Sequence, residues 1–173
     1  MKTRHKVIIG AAVVAASVAA IALKPTDATI LPTVPGVINQ DITQDTIDQT
    51  ICDPNWSTKS ERPPSAYTTA LKIKQLQALG WSDQSTADYE EDHLISLELG
   101  GNPTDPNNLW PESYKTTPNA RDKDKVENYL HAQVCSGAMT LQEAQNEIST
   151  DWTKVQTNPQ YGSVTPVNDQ DDI

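Results

Sequence analysis

Asp92 and His93 are adjacent near the end of an acidic and apolar segment, and Asn108 opens the next apolar segment after a Gly100-Gly101 pair. An imidazole, with an ordinary pKa of about 6.5, can accept a proton from water at neutral pH. A carboxylate supplies the oxygen ligand that Mg²⁺ prefers. Phosphodiester hydrolysis needs a base that activates water and a cation that takes up charge on the leaving oxygen. The pair therefore predicts a metal-dependent nuclease site.

Two strands and a helix would position these groups. Residues 89–97 are predicted as a strand, residues 99–107 as a Gly-, Pro- and Asn-rich loop, and residues 108–112 as a second strand. A helix is predicted from about residue 119 to 135, because apolar residues recur at every fourth position from 126 to 134. Neighbouring side chains of a strand point to opposite faces. The first strand must therefore bend or bulge at its end for the acid and the base to reach one centre.

Further helices are predicted on both sides of this unit. One runs from about residue 66 to 79, where Ser65 can cap its start and Gly80 ends it. The last runs from about residue 140 to 156 and opens with Thr140-Leu141-Gln142-Glu143, a capping box. The order helix, strand, strand, helix, helix predicts a small α+β domain with a single core.

The chain divides into four parts by composition. Residues 1–24 have a basic start and an apolar run, which predicts a secretory signal peptide or an uncleaved N-terminal anchor, and hence an exported protein at the cell surface, in the periplasm or secreted. Residues 25–50, rich in Pro, Thr, Asp and Gln, predict a disordered linker, and residues 51–156 hold the domain. The acidic end, residues 157–173, predicts a disordered tail.

The charge of the exported part opposes the nuclease prediction. Four of the 13 Lys and Arg residues lie before residue 25, which leaves nine against 23 Asp and Glu, a net charge of −14. Lys and Arg contacts to phosphate supply most non-specific affinity for nucleic acid. We therefore expect any binding of nucleic acid to depend on a local basic group.

Cys52 and Cys135 are the two cysteines of the chain. An even count in an exported protein predicts one disulfide, and two unpaired thiols are the alternative. A disulfide that closes so long a loop stabilises a protein by about 4–5 kcal/mol in the chain-entropy model.

The succession Asp92-His93-Leu94-Ile95, Gly100-Gly101 and Asn108-Leu109 resembles the HNH (His-Me finger, ββα-metal) endonuclease motif. The motif extends over residues 89–125. The wider sequence also resembles small exported HNH-like proteins of bacteria and their phages. That wider resemblance lies in Cys52, Arg62-Pro63-Pro64, Tyr89 to Gly101, Asn108-Leu109-Trp110-Pro111-Glu112, Lys123-Asp124, Cys135 and Trp152.

The resemblance implies a ββα-metal hairpin-helix core with additional helices around it. It implies His93 as the general base, Asp92 as a metal ligand, and Asn108 as the residue whose amide pins the loop and orients the base. One divalent ion, Mg²⁺ with Mn²⁺ or Ca²⁺ as alternatives, would bind there. Asn119 best matches the last ligand, and Asp122 is a second candidate. The family more often has histidine at that position, and this chain has none there.

Three basic residues are candidates for substrate binding. Arg121 and Lys123, with Lys125, form the only basic cluster near the predicted site, and they either hold phosphate or are simply solvated. Arg62 could clamp a phosphate or a carboxylate such as Glu98. The sequence does not separate these roles.

The preferred interpretation is a metal-dependent endonuclease that hydrolyses nucleic acid with low sequence specificity, with DNA favoured over RNA, and we expect a monomer. An inactive HNH-like exported binding module is one alternative. The acidic charge and the missing last histidine favour that alternative. The other is a structural divalent-cation-binding protein, to which the loop of residues 102–107 could contribute oxygen ligands.

Overall fold

The computed structural model describes residue 28 and residues 31–157, and this part of the chain contains four α-helices and two β-strands. In chain order they are α1 (Thr58–Glu61), α2 (Ser65–Leu79), β1 (Tyr89–His93), β2 (Leu109–Ser113), α3 (Ala120–Cys135) and α4 (Leu141–Asp151). Short 3-10 helices lie at Ile47–Gln49, Thr86–Asp88, Leu97–Leu99 and Trp152–Lys154. The predicted α+β class is confirmed.

Local sequence signals mark the end of α2 and the starts of α3 and α4, whereas two boundary predictions were wrong. Ser65 does not cap α2 but is its first residue, and α4 ends at Asp151 and not near residue 156. Helix α2 ends at Gly80, which adopts the left-handed conformation with φ of 66°. Helix α3 starts with a capping box between Asn119 and Asp122, and α4 starts with another between Thr140 and Glu143. The apolar stripe of α3 is buried, as predicted.

Strands β1 and β2 form one antiparallel sheet, in which Asp92 pairs with Trp110 and His93 with Leu109. The first strand was predicted to continue to residue 97, and that prediction was wrong. Beyond His93 the chain leaves the extended conformation and turns into the 3-10 helix Leu97–Leu99. The second strand, predicted over residues 108–112, runs from Leu109 to Ser113, so that Pro111 lies in its middle. Proline is tolerated within β2 because an edge strand leaves alternate backbone N–H groups unpaired.

The Gly100-Gly101 pair makes the turn that the sequence predicts. Gly100 has a φ of 73°, a conformation that disfavours residues with a side chain. A Cβ atom on Gly101 would lie 1.8 Å from the Ile95 carbonyl oxygen, so only glycine fits there. The turn thus brings the loop backbone back against the end of β1.

Two apolar clusters hold the fold together. The larger packs α3 and α4 against the N-terminal segment and contains Ile42, Ile47, Ile51, Ile95, Leu99, Val126, Leu130, Val134, Leu141, Ala144, Ile148 and Trp152. The smaller packs α2 on the hairpin through Leu76, Trp81, Tyr89 and Trp110. Trp81 stacks on Tyr89 at 5.5 Å between ring centroids and meets the edge of Trp110 at 5.8 Å. Trp81, Trp110 and Trp152 are therefore packing residues of the two clusters.

The segment predicted as a disordered linker contributes to the larger cluster. Ile38 forms a β-bridge with Gly101, and Ile42 and Ile47 are buried. The linker prediction was therefore wrong for residues 38–50. Their isolated aliphatic side chains show no regular period, although they join the same apolar cluster.

The predicted leader, residues 1–24, and residues 158–173 of the predicted tail lie outside the described residues. Within the part of the chain that the structure describes, no helix is both long enough and apolar enough to cross a membrane.

A disulfide joins Cys52 to Cys135, which confirms the predicted pairing. It links the segment before α1 to the last residue of α3, across 83 positions of sequence. The bond closes the larger apolar cluster at the side where the N-terminal segment crosses α3.

Candidate functional site

An open pocket lies at the end of β1, bordered by residues of α1, the 3-10 helix Leu97–Leu99 and α3. Its lining consists of Thr58, Arg62, Glu90, Glu91, Asp92, His93, Ser96, Leu97, Glu98, Asp124 and Glu127. Six of these residues carry carboxyl groups, and Arg62 is the one Lys or Arg residue among them. The pocket unites three of the predicted site residues, namely Asp92, His93 and Arg62.

The imidazole of His93 is held in one orientation by the loop. Its Nε2 lies 3.0 Å from the carbonyl oxygen of Pro103. A carbonyl oxygen can only accept, so Nε2 carries the proton and Nδ1 has the lone pair. Burial lowers the pKa of His93, and Lys123 and Arg62 add to this effect against the opposing influence of Pro103 and Asp92. The ring is therefore neutral at neutral pH and can accept a proton at Nδ1.

The loop that presents Pro103 is stabilised by its own side chains. The Asn102 Oδ1 accepts hydrogen bonds from the backbone N–H groups of Thr104 and Asp105, each at 3.0 Å. The Asp105 Oδ1 accepts from the N–H of Asn107 at 2.8 Å. These oxygens, proposed above as calcium ligands, thus hold the turn that directs the Pro103 carbonyl at His93.

Asn108 closes the base of the same loop. Its side chain is fully buried; Oδ1 accepts from the N–H of Ile95 at 3.0 Å, and Nδ2 donates to the carbonyls of Ile95 and Asn102, each at 3.0 Å. Oδ1 also accepts from the N–H of Val37 at 3.3 Å. The Asn108 amide therefore ties both ends of the loop and the N-terminal segment together, and it acts on His93 through the loop.

Lys123 lies beside Asp92 in the interior of the protein. The Lys123 Nζ donates to the Asp92 Oδ2 at 2.7 Å and to the backbone carbonyl of His93 at 2.8 Å, and it contacts the Glu127 carboxylate. Its side chain is 0% exposed. Neither role predicted for Lys123, phosphate binding or simple solvation, fits this position, because α3 directs the side chain inward to the end of β1.

The other oxygen of Asp92 is also engaged. The Asp92 Oδ1 accepts from the backbone N–H of His93 at 2.7 Å. Burial alone would raise the pKa of Asp92. The Lys123 ammonium and the other partners outweigh burial, so that the pKa is lowered and the carboxyl stays ionised. Asp92 is thus the ionised partner of a buried ammonium, and its predicted role as a metal ligand conflicts with this arrangement.

Two more carboxyl groups, Glu112 and Glu127, surround the Lys123 ammonium. Burial raises the pKa of both, and the charge of Asp92 acts in the same direction. For Lys123, burial lowers the pKa, but Asp92 and Glu127 outweigh it and the pKa is raised. Asp92 is therefore the one of these three carboxyl groups whose pKa is lowered, and its pairing with Lys123 is the favoured ion pair.

Asn119 and Arg121 lie outside the pocket lining. The Asn119 Oδ1 accepts from the N–H of Arg121 at 3.0 Å and caps α3. The Arg121 guanidinium lies 5.2 Å from the centroid of the Tyr114 ring. Asn119 therefore acts as a helix cap, and Arg121 is separated from the buried Lys123.

Glu91 is a buried carboxyl group of the lining. It is 8% exposed, and neither of its side-chain oxygens has a hydrogen-bond partner. Burial raises its pKa to about 8, against the opposing charge of Lys72. At neutral pH this carboxyl retains its proton.

The predicted metal ligands do not fit a divalent ion as they are arranged. Both oxygens of Asp92 accept hydrogen bonds, and the oxygen of Asn119 caps α3. Within residues 31–157, the set of three His, Cys, Asp or Glu side chains with ligand atoms within 4.8 Å of one another is Cys52, His131 and Cys135. Because the two sulfurs form the disulfide, no thiolate ligand is present there.

Three residues of the site were missed in the sequence, namely Glu127, Glu112 and Pro103. The spacing of residues along α3 could have predicted that Glu127 and Lys123 point toward the interior. Both lie on the helical face that continues to Leu130 and Val134, which is the apolar stripe of α3. Pro103 contributes only a backbone carbonyl, for which no side-chain pattern exists.

Comparison with known proteins found no matching protein-family model and no significantly similar curated protein or solved structure.

Proposed function

We propose that the chain is an exported phosphodiester hydrolase acting on nucleic acid, as its resemblance to HNH endonucleases implies, with His93 as the general base. The observation that carries the proposal is the bond between His93 Nε2 and the Pro103 carbonyl. It leaves Nδ1 as a proton acceptor on a neutral ring, in a pocket that also contains Arg62.

In this mechanism a phosphate of the substrate lies beside Arg62 and a water molecule beside His93. The imidazole Nδ1 takes a proton from water as the oxygen attacks phosphorus, which displaces the leaving oxygen. The developing imidazolium is stabilised by the Pro103 carbonyl and by Asp92, the two groups that raise the His93 pKa. Asn108 keeps the loop, and with it the Pro103 carbonyl, in place.

The resemblance also implies a divalent ion, which would supply positive charge against the leaving oxygen. Asp92 and Asn119 do not offer the ligand set expected for it, and no step is assigned to it here. The EDTA arm of the experiment below measures whether hydrolysis requires such an ion.

The remaining features bear on where and on what the protein acts. The disulfide supports an oxidising compartment and hence export. The net charge of −14 in residues 25–173, from nine basic and 23 acidic residues, opposes tight binding of polyanions. We therefore propose weak binding and low sequence specificity, with DNA favoured over RNA.

A second candidate function is an inactive binding module on the same scaffold. The observation that favours it is the predominance of carboxyl groups in the pocket, together with the ammonium of Lys123 bound to Asp92. Such a pocket would bind a cationic group rather than a phosphate.

Nicking of supercoiled plasmid by the purified protein tests the proposal. Wild type is assayed with Mg²⁺, with Mn²⁺ and with EDTA, on plasmid and on single-stranded RNA, beside folded His93→Ala. Cleavage that depends on His93 supports the hydrolase, and its loss in EDTA would add a divalent ion to the mechanism. No cleavage under any condition by folded wild type would favour the binding module.

A further inference from the structure

The environment of Lys123 differs from that of an ordinary surface lysine of a helix. Its Nζ makes contacts below 3 Å to the Asp92 carboxylate and to the His93 carbonyl, and it also contacts Glu127. The Asp92 carboxylate, the Glu127 carboxyl group and the His93 carbonyl offer oxygen atoms of the kind that a hard divalent cation recruits. Here the ammonium group of the Lys123 side chain contacts these oxygen atoms instead.

The same contacts fix the backbone of His93 on both sides. The His93 carbonyl accepts from Lys123, and the His93 N–H donates to Asp92, which is itself held by Lys123. The ring is then anchored through Nε2 to Pro103. Removal of the ammonium would release the carbonyl directly and the N–H indirectly, through Asp92.

We infer that Lys123 is the positioning residue of this centre: its ammonium fills the cation position between Asp92 and Glu127 and fixes the end of β1 that carries His93. The inference rests on the proposed function in treating His93 as the base. It also explains why Asp92 does not fit the predicted role of a metal ligand: its carboxylate already pairs with the Lys123 ammonium.

Magnesium titration of the wild-type protein tests the cation position without any substitution. In ¹H–¹⁵N spectra of lysine side chains, the Lys123 ammonium should exchange slowly with water and should not shift when Mg²⁺ is added. A Lys123 signal that shifts or begins to exchange rapidly would mean that the ion displaces it from Asp92, and would overturn the inference.

The variant Lys123→Met tests the positioning role, with Lys125→Met as the matched control. Lys125 is on the same helix, with its side chain 70% exposed and paired to Asp122. In ¹⁵N spectra of the imidazoles, His93 should change from the Nε2-protonated form to a mixture of tautomers in Lys123→Met only, and His131 should not change. An unaltered His93 spectrum in folded Lys123→Met would contradict the role. Should that variant not fold, the wild-type titration decides.

A third variant tests the analogy with a metal directly. Lys123→Ala leaves Asp92, Glu127 and the His93 carbonyl around an emptied position, and should gain saturable Mn²⁺ binding in calorimetry that wild type lacks. The double variant with Asp92→Asn should lose that binding. Equal Mn²⁺ binding by wild type and by both variants would refute the assignment. None of these measurements uses hydrolysis, so their outcome is separate from that of the nuclease assay.

Discussion

The histidines His93 and His131 make the same kind of hydrogen bond, but the residues around them differ. Each ring places Nε2 against a backbone carbonyl, Pro103 for His93 and Ile51 for His131, and burial lowers the pKa of each. His93 lines the acidic pocket. His131 instead lies on the last turns of α3, with its Nε2 3.3 Å from the sulfur of Cys135. A neutral, oriented imidazole is therefore not enough to define a catalytic base.

Burial also has opposite effects on stability in the two regions. Around His131 the disulfide and the larger apolar cluster stabilise the fold. Around His93 the protein buries Asp92, Glu91, Glu112 and Lys123, and burial of ionisable groups is costly whether they stay charged or must be neutralised. The contrast is typical of a site that retains unfavourable groups for chemistry on a scaffold stabilised elsewhere.

The largest expected effect separates the two histidines in activity. His93→Ala should lower the rate of plasmid hydrolysis by roughly 100- to 10,000-fold, because general-base catalysis contributes about that much. His131→Ala should keep the rate within a few-fold of wild type while lowering the midpoint of urea denaturation. Equal losses of rate in the two folded variants would remove the distinction between the regions.

The disulfide should matter for stability and little for chemistry. Replacing both cysteines, Cys52→Ser with Cys135→Ser, should lower the free energy of unfolding by about 2–5 kcal/mol, since the open loop gains conformational entropy when unfolded. Urea denaturation measures this, and reduced wild type serves as the control. An unchanged unfolding free energy would show that the His131 region does not stabilise the fold through this bond.

Glu91 should show the cost of burial in the His93 region. Its pKa is raised to about 8, so wild type loses stability as pH rises from about 4.5 through 8 and the folded state must release the proton. Glu91→Gln should therefore be more stable than wild type by roughly 2–4 kcal/mol at pH 8, with the gain vanishing near pH 4.

The matched control for Glu91→Gln is Glu90→Gln, at the neighbouring half-buried position. Thermal or urea unfolding across that pH range measures both variants. A Glu91→Gln protein with no pH-dependent advantage would mean that this carboxyl is not strained by burial.

The smallest effect concerns the acid limb of the rate profile. Because burial lowers the His93 pKa, the proton-accepting form persists below the ordinary value, and kcat/KM should fall with an apparent pKa lower than about 6.5. His131→Ala should leave that limb in place. An acid limb above 6.5 would indicate either a different base or an imidazole stabilised in its charged form.

Local signals in the sequence predicted most of the elements, because caps and periodic apolar residues act within a few positions. Gly80 and the Thr140–Glu143 box mark helix boundaries, and the Gly100-Gly101 turn is required by a close backbone approach. Residues 38–50 were not predicted as part of the domain, since their isolated aliphatic side chains contact elements that are distant in the sequence.

For the candidate site, residue types were predicted more reliably than roles. The neighbours Asp92 and His93 both line the pocket, and Asn108 pins the loop. Asn119 caps α3 and Lys123 pairs with Asp92, whereas the expected roles were metal and substrate binding. The cap depends on where α3 begins, and the ion pair depends on how α3 packs against β1.

The amino-acid sequence alone determined the α+β class, the pairing of Cys52 with Cys135 and the presence of a histidine at the end of a strand. These follow from composition, spacing and short-range backbone preferences. Only the tertiary structure decided which cation accompanies Asp92. That choice depends on α3 packing against β1, which brings Lys123 from 31 positions away into the buried interior, where its ammonium pairs with the aspartate.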